Sequence, residues 1–128
     1  MADSFSALGS AIYAKIAPIN GSAIYDTLAP SDVQPPFEIF QRMTGTDWHT
    51  FNTRGENLEY MIKSVSDRDW QGVAYARYGT IHATVEDATF TITGFTQLRF
   101  RRISTMNYQD KDFNWHAGGI YRVELQTP

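Results

Sequence analysis

"NLEYMIKSVSDRDWQGVAYARYGTIHATV", residues 57–85, decides the fold, because the spacing of its apolar side chains changes partway along. In the first part, two sets of side chains alternate: Leu58, Tyr60 and Ile62 against Glu59, Met61 and Lys63. This alternation is typical of a half-buried strand with one apolar face. Further on, apolar residues recur every three or four positions, as they do along one face of a helix. A strand followed by an amphipathic helix indicates a domain in which a helix covers a sheet.

Two helices are predicted from apolar stripes. The helix inside this stretch carries its stripe on Trp70, Ala74, Tyr78, Ile81 and Val85. Asp67 or Asp69 can cap its start, and Arg77 lies on the flank of the stripe. The other helix is predicted over residues 4–17, where Pro18 ends it. Its stripe consists of Phe5, Leu8, Ile12 and Ile16.

Extended segments surround these helices. Residues 23–28 are short and apolar, and Pro35-Pro36 opens a predicted strand over 37–43, since proline is tolerated at a strand start. Residues 98–106 and 114–125 are predicted as two long strands joined by the turn "NYQDKD".

The order helix, strands, helix, strands predicts an α+β fold. We expect one domain over residues 1–128, with a mainly antiparallel sheet of four to five strands packed against two helices. Residues 44–56 are interpreted as a long loop. It holds Trp48, His49 and Phe51, and long loops with aromatic side chains often carry function.

Composition excludes several classes of protein. The chain has 128 residues, no cysteine and a net charge of −3, so disulfides and thiolate metal sites are excluded and folding in a reducing cytoplasm is expected. A free-standing nucleic-acid binder would be clearly basic, which this chain is not. We identify no signal peptide and no apolar run long enough to span a membrane, so no membrane contact is expected.

The stretch "NWHAGGIYRVEL", residues 114–125, raises the question of catalysis, because a Trp-His pair stands before a double glycine. His49, His82 and His116 lack metal-ligand spacing, and no nucleophile or phosphate-binding motif occurs, so we predict no catalytic residue, no cofactor and no metal. His116 alternates with the apolar positions, which favours a polar contact away from the main core. Gly118-Gly119 indicates a bulge or a close approach of two backbones.

Arginines are concentrated on the last two predicted strands: Arg99, Arg101, Arg102 and Arg122. They can pair across strands on a solvated face. They can equally meet an acidic neighbour or line a passage for a polyanion, if copies form a ring. In a regular strand Arg99 and Arg101 point one way and Arg102 the other. One side would then pair with acids of a neighbouring subunit, with Glu56 and Glu59 as candidates, and the other within the subunit.

Three parts of the sequence resemble the small tail-completion (tail terminator, head-to-tail joining) proteins of siphophages, which also occur in prophages and gene transfer agents. The first is "IYDTLAPSDVQPPFEIF", residues 24–40, which matches the family's opening. The second is "WHTFNTRGENLEYMIKSVSDRD", residues 48–69, which is similar to its loop, second strand and the step into its long helix. The third is the ending, matched by Trp115, His116, Tyr121 and Arg122.

This resemblance implies a structural role and no enzymatic one. Such proteins form a ring, usually sixfold, that caps the finished tail tube, ends its polymerisation and offers a surface to the head connector or stopper protein. DNA passes through the lumen without sequence-specific binding. The implied location is the tail or neck of the virion, after assembly in the host cytoplasm. The resemblance also implies that "NWHAGG" is the start of a strand and a contact edge, and not an active site.

The partners implied are thus further copies of the chain, the tail tube protein and the head connector. The residues expected at these protein interfaces are Trp48, His49, Phe51, Arg54, Arg99, Arg101, Arg102, His116 and Arg122. Two alternatives stay open. One is another neck component, such as a head-completion or stopper protein, and the other is a small ligand-binding α+β domain using Trp115, His116 and Arg122.

Overall fold

The structure, a computed structural model, describes residues 4–17, 24–26, 36–49, 54–67, 69, 71–86, 88–89 and 96–126. Seven elements follow one another: α1 (Ser4–Ile16), β1 (Ile24–Asp26), β2 (Phe37–His49), β3 (Arg54–Ser66), α2 (Gln71–Val85), β4 (Thr96–Gln109) and β5 (Trp115–Gln126). The strands form one five-stranded sheet in the order β1-β2-β3-β5-β4. β1 pairs with β2 in parallel, and the other neighbours pair antiparallel. The predicted α+β fold with a mainly antiparallel sheet and two helices is confirmed.

One face of the sheet, called the helix face below, is covered by α1 and α2. The predicted stripes supply the cover: Leu8, Ile12 and Ile16 from α1, and Ala74, Tyr78, Ile81 and Val85 from α2, are all buried. They pack on alternate side chains of the strands, among them Leu58, Tyr60, Ile62, Phe100, Tyr121, Val123 and Leu125. Burying this many large apolar side chains is the main stabilising term, at about 1.5–3 kcal/mol for each one.

A buried ion pair ties α2 to the sheet beside this core. Arg77 donates from Nε and Nη2 to the two carboxylate oxygens of Glu38, at 2.8 and 2.6 Å. Glu38 is only 1% exposed. Because a carboxylate this deeply buried needs a partner with good geometry, the two-pronged contact fixes where α2 lies over β2.

The opposite side of the sheet is called the far face. Near the start of β2 it holds a second apolar cluster of Phe37, Ile39, Met61 and Val65, packed with Tyr25 and Met106. Met61 therefore corrects the expectation that it alternates toward solvent, since β3 is buried on both faces over this part of its length. Strands buried on both sides lose the alternation on which that expectation rested.

The interpretation of residues 44–56 as a long loop is wrong. β2 continues to His49 and β3 begins at Arg54, so most of this segment is a paired hairpin. Residues 42–47 are exposed on both faces, and β1 covers the outer edge of β2 only at residues 38–40. A strand whose two faces are both exposed to solvent needs no alternation of apolar and polar residues. The stretch "TGTD" can therefore have the composition of a loop and still be a strand.

β4 extends further than predicted at both ends, and β5 agrees with its prediction to within one residue. β4 runs from residue 96 to 109, so part of the predicted "NYQDKD" turn is strand. Several predictions lie outside the described residues: Phe51, Trp70, Pro18, the side chains of Phe5 and His49, and residues 27–35 and 90–95.

The double glycine in β5 reflects close approach. The register with β3 runs without a break through Gly118 and Gly119, so no bulge occurs on that side. A Cβ at Gly118 would lie 2.5 Å from the Cβ of Lys63, and one at Gly119 would lie 2.8 Å from the Cδ of Arg102. Both distances are too short for a side chain, which explains the pair of glycines.

Candidate assembly surface

Three of the predicted interface arginines share the far face of the sheet. Arg101 is the cross-strand partner of Arg122, and Arg99 is the partner of Glu124. All three arginines are exposed, and they are called the arginine cluster below. With Arg102, Glu124 and the exposed Ile103 they line a concavity of about 340 Å³. The register thus confirms that Arg99 and Arg101 point the same way.

The arginine cluster is only partly neutralised within the chain. Arg122 donates from Nη2 to Glu59 Oε1 at 3.0 Å, across the β3–β5 pair. Over the stretches of chain that the structure describes, Arg99 and Arg101 make no ion pair. Like charges directly opposite each other on two strands are destabilising, so Arg101 beside Arg122 works against folding. An anionic group of another molecule, bound at the cluster, would offset the repulsion between the two arginines.

Glu59 and Glu56, the candidates to meet a neighbouring subunit, both interact within the chain. Glu59 pairs with Arg122, and Glu56 makes a contact of its own. A contact of either acid with a neighbouring copy stays a prediction.

Arg102 is on the helix face by strand register, as the alternation predicted, and it also lines the edge of the concavity beside the arginine cluster. It donates from Nη1 to the Tyr78 hydroxyl at 3.3 Å. Its backbone N–H donates to the Glu86 carboxylate oxygens at 3.2 and 3.3 Å. This pairing within the chain agrees with the expected split of the arginines, and it ties the edge of β4 to the end of α2.

Arg102 borders a hydroxyl network that the sequence did not reveal. The Tyr78 and Tyr121 hydroxyl oxygens are 2.8 Å apart, and His82 Nδ1 lies 2.8 Å from the Tyr121 hydroxyl. Burial, ahead of the hydrogen bond with Tyr78, raises the pKa of Tyr121 well above its usual value, so the phenol stays protonated. The helical stripe showed Tyr78 only as an apolar residue, and a partner 43 residues away leaves no local signal.

His116 makes the polar contact expected of it. Its Nε2 donates to Asp110 Oδ2 at 2.7 Å, and its ring stacks on Tyr108 with centroids 4.5 Å apart. Burial lowers the pKa of His116, and nearby Lys63 adds to this, while Asp110 opposes it. For Asp110, burial alone would raise the pKa. Its hydrogen bonds with His116 and the backbone of Asn114 and Asp112 outweigh that effect and lower it.

Trp115, His116 and Arg122 are not brought together. Trp115 packs against the main core on the helix face, whereas His116 lies on the far face. Arg122 is on the far face too, but six residues along the strand, about 20 Å away at the usual rise. This geometry does not support the ligand-binding alternative that needed all three side chains in one pocket.

Of the remaining predicted interface residues, Trp48, His49 and Arg54 belong to the end of the β2–β3 hairpin, and Phe51 is outside the described residues. The Trp48 indole covers Gly55, its cross-strand partner, where a Cβ would overlap the ring. Arg54 is exposed opposite the backbone of His49. The hairpin end and the arginine cluster are therefore two separate parts of the surface.

Sequence reasoning missed a groove on the helix face between α1 and the β1–β2 edge. It has a volume of about 410 Å³ and is walled by Tyr13, Phe40 and Tyr60, with Asp26 and Arg42 also lining it. The Tyr13 and Phe40 rings lie 6.3 Å apart and are tilted by 55°. We call it the aromatic groove. Its aromatic residues come from three segments that are distant in sequence, so no local motif indicates the groove.

Among the described residues, no group of three or more histidine, aspartate or glutamate side chains could hold a metal ion. Neither described helix is long and apolar enough to cross a membrane.

An α+β fold with two helices on one face of a mainly antiparallel five-stranded sheet defines a broad structural class. One solved structure with this fold is a chain of a particle described as "Virion of native gene transfer agent (GTA) particle". The likeness has a TM-score of 0.85 at 14% sequence identity and covers 98% of this chain and 99% of that chain. The two chains therefore share one fold over almost their whole lengths. No protein-family model matches the chain, and no curated protein is significantly similar in sequence.

Proposed function

We propose that this protein is a structural component of a phage-like particle, and that it caps the tail tube as a ring. The observation that carries the proposal is the shared fold with a chain of a gene transfer agent virion over 98% of this chain. The sequence resemblance to tail-completion proteins points to the same kind of particle. In this proposal the chain is one domain, it acts by binding proteins, and it performs no catalysis.

The ring, which we propose to be sixfold, ends polymerisation of the tube and joins the tail to the head connector. Its partners are other copies, the tail tube protein and the connector, and DNA passes through the lumen. The partly neutralised arginine cluster supports this role, because exposed arginines of a net-acidic protein fit a contact with acidic protein surface. The proposed location is the neck of the virion, after assembly in the host cytoplasm.

Removing the protein from particle-producing cells tests the function. We expect tail tubes of uncontrolled length and filled heads without tails, because nothing ends polymerisation or offers a joining surface. Supplying the protein in trans should restore tails of one length attached to heads. Tubes of normal length beside leaking heads would instead assign the protein to the head-completion or stopper step. Normal particles would refute a virion role altogether.

A further inference from the structure

The far face of the sheet has an apolar half and a charged half. The second apolar cluster occupies the half near the start of β2. The other half carries the arginine cluster in two adjacent rows of the sheet, with Arg101 beside Arg122 and Arg99 beside Glu124. Both helices pack on the opposite face, and the three arginines are exposed. The charged half is therefore open to a ligand.

Two positive charges in this half lack a partner of their own. Arg122 is paired with Glu59 at 3.0 Å. Arg99 and Arg101 form no ion pair with any residue that the structure describes, although Glu124 lines the same concavity. The planar fork of an arginine matches the two oxygens of a carboxylate. A ligand that supplies two carboxylates would therefore complete the cluster.

The spacing of the two unpaired arginines matches an extended peptide. Arg99 and Arg101 are two positions apart on β4, with no shift of register between them. They are therefore separated by about 7 Å along the strand. Side chains on one side of an extended peptide repeat at this same distance, because successive side chains alternate. Two acids two positions apart, in a segment that runs along β4, can each face one arginine.

An aliphatic side chain borders the arginines in the same concavity. The register of β4 with β5 shifts between Arg102 and Ser104, which makes Ile103 a bulged residue. Bulges re-aim side chains, and Ile103, 44% exposed, lines the concavity with Arg99 and Arg101. An exposed isoleucine next to arginines favours a ligand with an apolar side chain beside its acids.

The polar surface continues from this concavity across the sheet. Arg122 also lines a second concavity, of about 180 Å³, together with Thr44, Thr46, Asn57 and Glu59. Hydroxyl and amide side chains can donate and accept hydrogen bonds, which suits the N–H and C=O groups of a peptide backbone. The surface next to the arginines can therefore hold the main chain of such a ligand.

The ligand would lie on the face of the sheet and would not add a strand at the β4 edge. The Arg102 N–H is already bonded to the Glu86 carboxylate. The register shifts leave Leu98 and Ile103 as bulged residues, so this edge is irregular. Strand addition needs a regular row of free backbone groups, and bulges disrupt it. Side chains of the far face therefore make the contact.

These features favour an acidic peptide over a nucleic acid. Among the described residues that line the two concavities, none is aromatic, so bases would have no ring on which to stack. Glu59 and Glu124 lie among the arginines and would repel a continuous row of phosphates. A peptide can place its acids on Arg99 and Arg101 alone and leave uncharged groups beside the two glutamates.

We infer that the arginine cluster binds an extended acidic segment of a partner protein. The segment has two acidic residues two positions apart, which bind Arg99 and Arg101, and an aliphatic residue beside them, which contacts Ile103. Its acids offset the repulsion between Arg101 and Arg122. The inference deepens the proposed function and rests on it for the kind of partner, a protein of the particle, but the binding itself needs no ring.

Peptide binding to the purified protein tests the contact. The probe is a blocked fluorescent peptide in which a leucine is followed, two and four positions later, by glutamates. The control peptide has glutamines in their place. By fluorescence anisotropy, we expect the glutamate peptide to bind about tenfold more tightly or better, because only it forms charge-assisted bonds with the arginines. This preference should shrink as salt is added, because the cluster is exposed.

Variants locate the binding. Arg99→Gln/Arg101→Gln should abolish the preference for the glutamate peptide, whereas Lys111→Gln, which removes an exposed charge in the β4–β5 turn, should keep it. Arg99→Glu/Arg101→Glu should instead prefer a peptide with lysines at the two positions. Circular dichroism checks that each variant is folded, and the gain of lysine-peptide binding is a result that misfolding would not produce.

Equal binding of the glutamate and glutamine peptides to the wild type would overturn the inference, and so would a preference that survives Arg99→Gln/Arg101→Gln. A single-stranded oligodeoxythymidine that binds more tightly than the glutamate peptide, and is lost in the same variant, would assign the cluster to nucleic acid and also overturn it. If the protein caps tails but shows no preference among the peptides, the inference fails and the proposed function stands. If the preference is present but removing the protein leaves particles normal, the peptide site stands and the proposed function fails.

Discussion

At the scale of single residues, Gly119 of β5 has to be a glycine because side chains distant in sequence occupy the space beside it. Gly119 faces the Tyr78 hydroxyl and the Arg102 side chain, neither of which is near it in sequence. The hydroxyl network on Tyr121 depends on this space, because Tyr78 reaches Tyr121 beside Gly119. The sequence suggested a close approach or a bulge, but only the structure identifies which groups come close.

Gly119→Ala should destabilise the protein by about 1–3 kcal/mol, because the new methyl group overlaps Tyr78 and crowds Arg102. Gly79→Ala is the matched control, since a Cβ there meets nothing within 4 Å. On the exposed side of α2 this alanine should stabilise by about 0.5–1 kcal/mol. Urea unfolding of both variants measures the difference. Equal free energies of unfolding would contradict the packing described around β5.

His116 should make stability depend on pH. Its Nε2 donates to Asp110, and its buried Nδ1 has no hydrogen-bond partner among the described residues, so a second proton has no acceptor there. Burial lowers the folded-state pKa below the unfolded value of about 6.5. The unfolded chain therefore binds more protons as the pH falls through this value, and the free energy of unfolding should decrease.

The measurement is denaturant unfolding of wild type and His116→Asn between about pH 7.5 and pH 5. The asparagine cannot titrate, so its pH dependence should be flatter. The other two histidines, His49 and His82, are present in both proteins, so any contribution from them cancels in the comparison. The pKa of Asp110 is lowered from its usual value of 3.8, so the stability that Asp110 contributes is lost only below that pH and does not disturb this window. Parallel curves would show that His116 does not contribute.

At the scale of elements, α2 is where the sequence predicted most successfully. Its buried residues Ala74, Tyr78, Ile81 and Val85 are the predicted stripe, because a helix packed on one side has to repeat with its own turn. The same logic failed for the end of β2, where both faces are exposed and no apolar repeat is needed. A pattern is informative only where one face is buried and the other is not.

Ile81→Ala should destabilise the protein by about 2–5 kcal/mol, because Ile81 is 0% exposed and its loss leaves a cavity between α2 and the sheet. Thr80→Ala is the neighbouring control. Thr80 is exposed and its hydroxyl bonds only within α2, so the free energy of unfolding should change by less than about 0.5 kcal/mol. Thermal or urea unfolding distinguishes the two. Two similar, small changes would mean that α2 does not pack as described.

The candidate surface was harder to predict than the fold. Strand alternation separated Arg99 and Arg101 from Arg102 correctly, since that depends on the strand alone. The pairing of Glu59 with Arg122 depends on which strands are neighbours, and the aromatic groove depends on α1 lying over β2. Neither the strand order nor the position of a helix is contained in a local pattern.

At the scale of the whole molecule, the arginine cluster should matter to assembly and little to folding. Arg99→Glu/Arg101→Glu should change the monomer's free energy of unfolding by no more than about 1 kcal/mol, because both side chains are exposed and without ion pairs in the described chain. Capped tails of normal length should become rare. Thermal unfolding and electron microscopy of tails measure the two effects.

For a single charge reversal, Arg101→Glu is compared with Lys111→Glu. Both residues are exposed, and Lys111 lies in the β4–β5 turn, outside the cluster. Only Arg101→Glu should reduce capping. Normal tails joined to heads with the double arginine variant would show that this part of the sheet is ordinary surface.

Electron microscopy of the purified protein, alone and mixed with tail tubes, tests the central claim most directly. The account predicts closed rings of one size, sixfold in projection, and a single such ring seated at one end of each tube. Because a ring that caps a tube places its copies around one axis, the rings should show cyclic symmetry with all copies facing the same way. A protein that remains monomeric on its own and leaves the tube ends bare would contradict the account.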